Sequence, residues 1–424
     1  MNRLEQRLEN FGAEKIFVAI FFFFGVMILF MRPPFQLMDE INHFPRAWQI
    51  SEGIFLSPTM TIREFEGGGD FQSKKIFDLN RAPADAWDDK IYIAEVPVSF
   101  LPDAFIVDAN HRHYVHAFAA DDVKKFLSTP LDADEREPVL IPNTGVYPPP
   151  TYFPQAVVAF LGRALNLDAG KIFYLMGLGG LIFVAACVFC AMKFLPEAKQ
   201  LIFLSAMLPM FLVEAASTSA DAVTFGVCFL GTAWLLSLRR STEKFSRAEI
   251  FGLIILSIML ACAKSVYGTI LLLYFLIPRE RVGSTKKFFA LGAAILFLNL
   301  FASAAWTWLA VENSGVELAT LRQYLGVKDV DVAAQKIFLS EHPTEFFSAM
   351  INIIFIGKFF YWFGFMGVWG ANGEFFMPFF FCVLYSTILI FFALTNELNF
   401  KLGERGLLIF AAAVSILAFF SCTI

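Results

Sequence analysis

Two adjacent carboxylates, Asp39 and Glu40, are the residues in this sequence best suited to chemistry. His43 follows Asp39 by four positions and Arg46 by three more, which places both on the helical face of Asp39. A carboxylate in a partly dry site can take a proton from an attacking hydroxyl, and a carboxylate pair can hold a divalent cation against a phosphate. Arg46 offers forked donors for an anionic group. A helix N-cap with solvated charges at a membrane surface is the plainer alternative.

Two more ionisable residues stand at the ends of apolar runs. Asp221 closes the string STSAD, where N-capping of the following helix is an equally good explanation. Lys264 begins KSVYG. Its ammonium could reach the lipid headgroups, or it could face a cavity shared with Asp39 on the outer side of the membrane and bind a lipid phosphate there. Tyr147, which begins YPPPTYFPQ, and Tyr267, in KSVYG, are further substrate-binding candidates.

The turn 365–376 (FMGVWGANGEFF) is rich in aromatic residues and glycine. Trp369 could stack on a sugar there, and Asn372 and Glu374 could donate or accept hydrogen bonds. An aromatic belt at the membrane interface explains the same composition.

Three further motifs carry weaker signals. HRHYVH (111–116) offers His111, His113 and His116 for zinc, but a surface hairpin is favoured because no further ligand is obvious. The glycines 67–69 lack the context of a phosphate-binding loop. The six cysteines all lie in apolar runs, which favours inert thiols.

The composition indicates which elements must position these residues. Hydrophobic residues make up 57% of the 424 positions, charged residues only 17%, and there are 53 Phe. Soluble domains are about 45–50% apolar and ~25% charged. A polytopic membrane protein is therefore predicted, and the sequence shows no basic face for nucleic acid.

The apolar runs predict nine membrane spans. A cytoplasmic segment (1–14) precedes the first span, and a segment at 345–366 lies in the interface or re-enters the membrane. A loop at 32–170 separates the first span from the bundle at 171–424. The predicted spans are 15–31, 171–193, 199–214, 221–238, 249–263, 266–278, 288–311, 375–394 and 405–424.

Basic residues cluster in the short connections near 239–247, 279–287 and 401–405. The positive-inside rule places these connections and the N-terminus in the cytoplasm, and the loop 32–170 outside. Residues 32–152 are acidic, with 19 Asp or Glu against 11 Lys or Arg.

Within the outer loop, patterns predict a short helix at 39–53 lying on the membrane and strands at 90–100 and 105–118. They also predict a helical turn at 121–127 and, within 147–168, a proline-stiffened segment leading into an amphipathic helix.

Several strings together resemble the bacterial family called domain of unknown function 2142, which is grouped with the GT-C glycosyltransferases. They are DEINHFPRAWQISEG (39–53), YPPPTYFPQ (147–155), LPMFLVEAASTSADAVTF (208–225), AKSVYG (263–268) and GVWG (367–370).

This resemblance implies an all-α polytopic membrane protein with a GT-C-like helical bundle and a large first extracytoplasmic α/β loop. It also implies an inverting glycosyltransferase in the bacterial cytoplasmic (inner) membrane. The donor would be a polyprenyl-phosphate-linked sugar, and the acceptor a cell-envelope glycan or lipid, such as lipopolysaccharide or O-antigen.

The resemblance also implies roles for single residues. Asp39 would be the general base, and Glu40 would assist by orienting the acceptor or by binding Mg²⁺ or Mn²⁺, if a metal is used. Arg46 and Lys264 would hold the departing phosphate, with His43 supporting the site. The remaining substrate-binding candidates are Tyr147, Asp221, Tyr267 and Trp369.

Two other functions remain open at this stage. A transporter or flippase of lipid-linked sugars would need ionisable residues in mid-span, and the predicted spans carry almost none. A non-catalytic scaffold of envelope assembly would tolerate substitution of both Asp39 and Glu40.

Overall fold

The computed structural model describes most of the chain. Three predictions lie wholly or mostly outside the described residues: residues 1–11 of the N-terminal segment 1–14, the strand at 105–118 with its histidines, and Asn372 with Glu374. The described residues are 12–35, 39–68, 87–102, 120–316, 332–356, 362, 364, 366–369, 375–395, 398 and 400–423.

Most of the described chain is helical, with several long apolar helices, which confirms the predicted helical membrane protein at that level. The α-helices are α1 (Ala13–Met31), α2 (Glu40–Ser51), α3 (Ile62–Gly67), α4 (Ala120–Leu127), α5 (Phe153–Ala164), α6 (Ala169–Phe194), α7 (Lys199–Ala206), α8 (Pro209–Ala215), α9 (Asp221–Leu238), α10 (Arg247–Ala263), α11 (Thr285–Thr307), α12 (Val332–Glu341), α13 (Pro343–Ile356), α14 (Phe379–Thr395) and α15 (Leu402–Thr423).

Four of these helices are long and apolar enough to cross a membrane: α1, α6, α9, and α11 with its π-helical extension to Glu312. A fifth span results if the pair Pro196–Ala206 and Pro209–Ala215, bent by 80°, crosses as one broken segment. The count of nine spans stays a prediction.

The short apolar run at 266–278 folds as a 3₁₀ helix of 12 residues, Ser265–Leu276. A 3₁₀ helix rises ~2.0 Å per residue against ~1.5 Å in an α-helix, so this segment extends to ~24 Å instead of ~18 Å. The tighter winding brings a short run closer to the ~30 Å hydrocarbon core of a bilayer.

The three basic connections meet at one end of the bundle. Arg239, after α9, pairs with Glu404 of α15 at 3.0 Å between Nη1 and Oε2. Arg281 donates from Nε to the backbone oxygen of Glu243 at 2.8 Å. Residues that the sequence assigned to one side of the membrane therefore contact one another.

The segment 32–170, which the sequence predicts to lie outside, contains a three-stranded antiparallel sheet in the order β1–β2–β3, with β1 Thr59–Thr61, β2 Lys90–Pro97 and β3 Arg136–Leu140. The predicted strand at 90–100 is confirmed as β2, the central strand. Its neighbours were not predicted, because β1 has only three residues and β3 carries Arg136, Glu137 and Pro138.

Helix α2 lies within residues 32–170, which we call the outer segment after their predicted side of the membrane. The predicted helix is confirmed, but its placement on the membrane surface is wrong, because α2 packs between α5 and β2. Phe44 and Trp48 are both fully buried. The predicted helix at 121–127 and the amphipathic helix after the prolines are confirmed as α4 and α5.

The turn between α8 and α9 rests directly on α6. A Cβ at Gly177 would lie 2.8 Å from the backbone oxygen of Ala216, and one at Gly180 would lie 3.1 Å from that of Ala215. Only glycine allows backbones to approach so closely. These two glycines therefore allow the backbone just before the Ser217–Ser219 turn to pack directly against α6.

Candidate active site

Asp39 begins α2 in a left-handed conformation, with φ 60° and ψ 2°. Its backbone oxygen accepts hydrogen bonds from the amides of Asn42 and His43, both at 2.9 Å. Residues other than glycine adopt this conformation at a cost of about 1–2 kcal/mol, and such residues cluster at functional sites. The side chains of Asp39 and Glu40 have different partners, Asn143 for Asp39 and Arg32 for Glu40.

The side chain of Asp39 is exposed to solvent and interacts with Asn143, Asp221 and Lys264; we call the surface around these four residues the depression. Burial by the surrounding walls, together with the negative charge of Asp221, raises its pKa above the ordinary value. A hydrogen bond from Asn143 and the charge of Lys264 act in the opposite direction. A carboxylate with a raised pKa and open access is suited to general base catalysis.

Asp221 and Lys264 form an ion pair beside Asp39. The Nζ of Lys264 lies 3.3 Å from Oδ1 of Asp221, and both side chains are partly exposed. Asp221 is the first residue of α9, and Lys264 directly follows α10. Two helix ends therefore bring distant residues to the same depression.

Tyr147 and Tyr267 complete the group around this ion pair. The pKa of Tyr147 is raised by burial, and the side chain senses the charges of Lys264, Asp221 and Asp39. The amide of Tyr267 donates to the backbone oxygen of Lys264 at 2.9 Å. Both tyrosines therefore lie near Asp221 and Lys264, and their substrate-binding role stays a prediction.

Glu40, unlike Asp39, is fully buried. Its Oε1 accepts from Arg32 Nη2 at 3.2 Å and from the Thr218 amide at 3.3 Å. Within the described residues, Oε2 of Glu40 and the Nε and Nη1 of Arg32 have no hydrogen-bond partner. The adjacent carboxylates therefore do not converge on one point.

Metal binding finds no further support in this arrangement. The described residues contain no group of three or more His, Cys, Asp or Glu side chains that could hold a metal ion. Glu40 already pairs with Arg32. The divalent cation considered from the sequence is therefore not part of our proposal.

His43 lies behind Asp39 and is buried, with Nδ1 2.7 Å from the hydroxyl of Tyr152. Burial lowers the pKa of His43 to about 4. The imidazole is therefore neutral at physiological pH and forms one wall of the site.

We expect acid to destabilise the protein through His43. The pKa of this histidine is about 4 in the folded state and ~6.5 in the unfolded state, so the folded protein binds fewer protons. Its contribution is complete above pH ~6.5 and is lost as the pH falls towards 4, by ~3 kcal/mol. Urea unfolding in detergent between pH 7 and 4 should show a smaller loss for His43→Gln than for wild type. Equal losses would contradict the assignment.

Arg46 does not serve the role expected from the sequence. It is fully buried, and its guanidinium donates to backbone oxygens of Tyr147 (2.9 and 3.3 Å), Phe55 (2.6 Å) and Ile54 (3.4 Å). Its remaining N–H donates to Oε1 of Gln49. These bonds use all five donors, so Arg46 holds the outer segment together and has no donor left for phosphate.

Trp369 lies in β4 (Val368–Trp369), which pairs with β5 (Phe375–Phe376). This hairpin packs against α8, and Gly367 lies beside Pro209. The described backbone places Trp369 near the bent pair of helices, and its role in sugar binding stays a prediction.

Sequence reasoning missed two polar residues of this region. Glu214 is 8% exposed at the end of α8 and lies near the charges of Asp221, Arg32 and Glu40. An ionisable residue near the end of an apolar run was the available signal. Asn143, which hydrogen-bonds Asp39, lies in a turn with no distinctive motif.

Comparison with known proteins gives one match. A family model described as "Predicted membrane protein (DUF2142)" matches residues 22–423. No curated protein and no solved structure matches the chain.

Proposed function

The chain belongs to the DUF2142 family of predicted membrane proteins, and from this premise we propose that it is an integral-membrane glycosyltransferase of GT-C type. The donor is a sugar linked to polyprenyl phosphate, and the acceptor is a hydroxyl of a cell-envelope glycan or lipid. One observation carries the proposal: the strained, accessible carboxylate of Asp39 lies beside the Asp221–Lys264 ion pair, where α9 begins and α10 ends.

In this mechanism Asp39 accepts the proton of the acceptor hydroxyl. The hydroxyl oxygen attacks the anomeric carbon of the donor, and the bond from that carbon to the phosphate oxygen breaks. The electron pair leaves with the lipid phosphate, whose negative charge Lys264 offsets. Attack opposite the leaving group inverts the anomeric carbon.

The charges near Asp39 are compatible with a base at Asp39 and a phosphate-binding cation at Lys264. Lys264 is held by Asp221 at 3.3 Å but keeps 43% of its side chain exposed. An ammonium that is anchored yet accessible can meet an incoming phosphate. Because Arg32 pairs with Glu40 and Arg46 binds backbone oxygens, Lys264 is the cation that we assign to the phosphate.

We propose that the depression opens on the outer face of the bacterial cytoplasmic membrane. The basic connections contact one another at one end of the bundle, and basic residues favour the cytoplasm. Paired variants test this orientation: Lys125→Cys in α4 and Lys244→Cys after α9, both at exposed positions. We expect an impermeant maleimide to label position 125 in intact spheroplasts, and position 244 only after lysis. The protein without an added cysteine is the control, and reversed labelling would contradict the orientation.

Mass analysis of envelope glycans and glycolipids tests the function itself. Cells that carry the gene should contain a glycoside that is absent after its deletion. If reconstituted protein instead moves a lipid-linked sugar across vesicles without forming a glycosidic bond, it is a transporter. If deletion changes assembly but no glycosidic bond depends on the protein, it is a scaffold.

A further inference from the structure

A turn at residues 141–147 follows β3 and ends at Tyr147 in the candidate active site. We call it the site turn. Three side chains from other segments donate hydrogen bonds to its backbone oxygens. They are Ser57 to Gly145 at 2.9 Å, Trp306 of α11 to Val146 at 2.7 Å, and Arg46 of α2 to Tyr147 at 2.9 Å. The backbone of the site turn is therefore held in place by distant parts of the protein.

The site turn also packs directly against α2 and β2. Thr144 is buried, and its Oγ1 donates to the backbone oxygen of Asn42 in α2 at 2.7 Å. A Cβ at Gly145 would lie 2.5 Å from the Cβ of Tyr92, so only glycine allows the turn to approach β2 so closely. Since Asp39 begins α2, these contacts fix the position of the site turn relative to Asp39.

Asn143 is the residue of the site turn that contacts Asp39. Its side-chain amide donates a hydrogen bond to the Asp39 carboxylate. The side chain of Asp39 is exposed, and exposed side chains change rotamer within nanoseconds unless a contact holds them. A general base must keep its oxygen within hydrogen-bond reach of the proton that it takes. The hydrogen bond from Asn143 gives the exposed carboxylate a fixed support of this kind.

The other half of the Asn143 amide argues against a purely structural role. An asparagine that only stabilised the site turn would have both its oxygen and its nitrogen bonded. Among the described residues, the buried Oδ1 of Asn143 has no hydrogen-bond partner. A buried acceptor without a partner is unfavourable for stability, and native proteins keep such local conflicts mainly at functional sites.

We propose that Asn143 is a positioning residue of the transfer reaction, whose amide holds the carboxylate of Asp39 in the orientation that takes the proton of the acceptor hydroxyl. This inference rests on the proposed glycosyltransferase function. Asn143 acts through Asp39 and does not itself contact the reacting atoms. The contacts of the site turn with α2, β2 and α11 give this amide its fixed position.

Removal of the amide has a defined effect on the titration of Asp39. Among the described residues, the other charged or titratable side chains that interact with it are Asp221, Lys264, Tyr147 and Tyr152. A substitution at Asn143 leaves all four in place. Because the lost hydrogen bond favours the charged carboxylate, the titration midpoint of Asp39 should rise by about one pH unit. A base works in its deprotonated form, so the acid side of the pH profile of transfer should move to higher pH by the same amount.

Carbon NMR measures this midpoint in the full-length protein in detergent, with aspartate isotope-labelled at its side-chain carboxyl carbon and Asp39→Asn to identify the resonance. We expect equal shifts in Asn143→Leu, which keeps nearly the shape of asparagine, and in Asn143→Ala, which cannot clash. In both variants, kcat of transfer at its plateau should fall about tenfold or more, with KM unchanged.

Thr144→Val is the matched control within the site turn. It removes the buried hydrogen bond to Asn42, so it should lower the stability in denaturant and leave the midpoint of Asp39 unchanged. A shift as large as that of Asn143→Leu would show that loosening of the turn is the cause and would overturn the role of Asn143.

The outcomes separate this inference from the proposed function. An unchanged Asp39 midpoint in both folded Asn143 variants would overturn the inference, even if the protein transfers sugar. A raised midpoint with kcat as in wild type would equally refute a positioning role. A raised midpoint without any glycoside that depends on the gene would confirm that Asn143 holds Asp39 and refute the transferase.

Discussion

We expect Asp39→Asn to lower the proposed sugar transfer by ~10²–10⁴, the contribution of a positioned general base. Asparagine has nearly the same shape as aspartate and tolerates the left-handed conformation observed at this position, φ 60°. The substitution therefore removes the proton acceptor and leaves the start of α2 in place. Analysis of the gene-dependent glycoside by mass spectrometry should show it lost, with membrane insertion and expression as in wild type.

An exposed aspartate of the outer segment provides the matched control. Asp132→Asn, in the loop before β3, removes the same charge outside the depression and should keep full transfer. If the Asp39→Asn protein still made the glycoside at the wild-type level, Asp39 would not be the base. The control is informative because Asp39 interacts with the charges of Asp221 and Lys264, whereas Asp132 lies in the loop before β3.

Local patterns in the sequence predicted the helices and the principal polar cluster. Apolar runs marked the helices from α6 to α11, because a helix facing lipid must be apolar along its whole length. Ionisable residues at the ends of such runs are costly unless they have a task, and this reasoning selected Asp221 and Lys264. The structure brings these two into contact across 43 residues of sequence.

The partners of some candidate residues lie far away in the sequence and could not be predicted from local patterns. Arg46 looked suited to phosphate, yet its partners include the backbone oxygen of Tyr147, 101 residues away. No periodicity within α2 shows that acceptor. Asp39 and Glu40 likewise have different partners. The left-handed backbone of Asp39, directly before α2, is a feature that the local sequence pattern does not reveal.

Breaking the buried pair Arg32–Glu40 should have the second large effect. Arg32→Met leaves the carboxylate of Glu40 fully buried without its cation, which typically costs about 3–5 kcal/mol. The double variant Arg32→Met/Glu40→Met removes both charges and should recover most of that loss, because burying an ion pair is itself expensive. Denaturant unfolding of the detergent-solubilised protein measures both differences.

The exposed pair Arg63–Asp88 is the matched control. Its atoms are 2.8 Å apart, closer than those of Arg32 and Glu40, but its side chains are 64% and 78% exposed. Arg63→Met should therefore leave the free energy of unfolding nearly unchanged. An effect as large as that of Arg32→Met would show that burial is not the cause.

The same double variant decides between two roles for Glu40. If Glu40 only ties α2 to the turn at Thr218, where the amide donates at 3.3 Å, restoring stability should also restore transfer. If Glu40 takes part in the chemistry, as the resemblance implies, the double variant should be stable and inactive. The structure favours the first outcome, since the oxygen of Glu40 that faces Arg32 is fully engaged and the carboxylate is closed to solvent. Asp39 would then act as the base, and its neighbour would keep it in position.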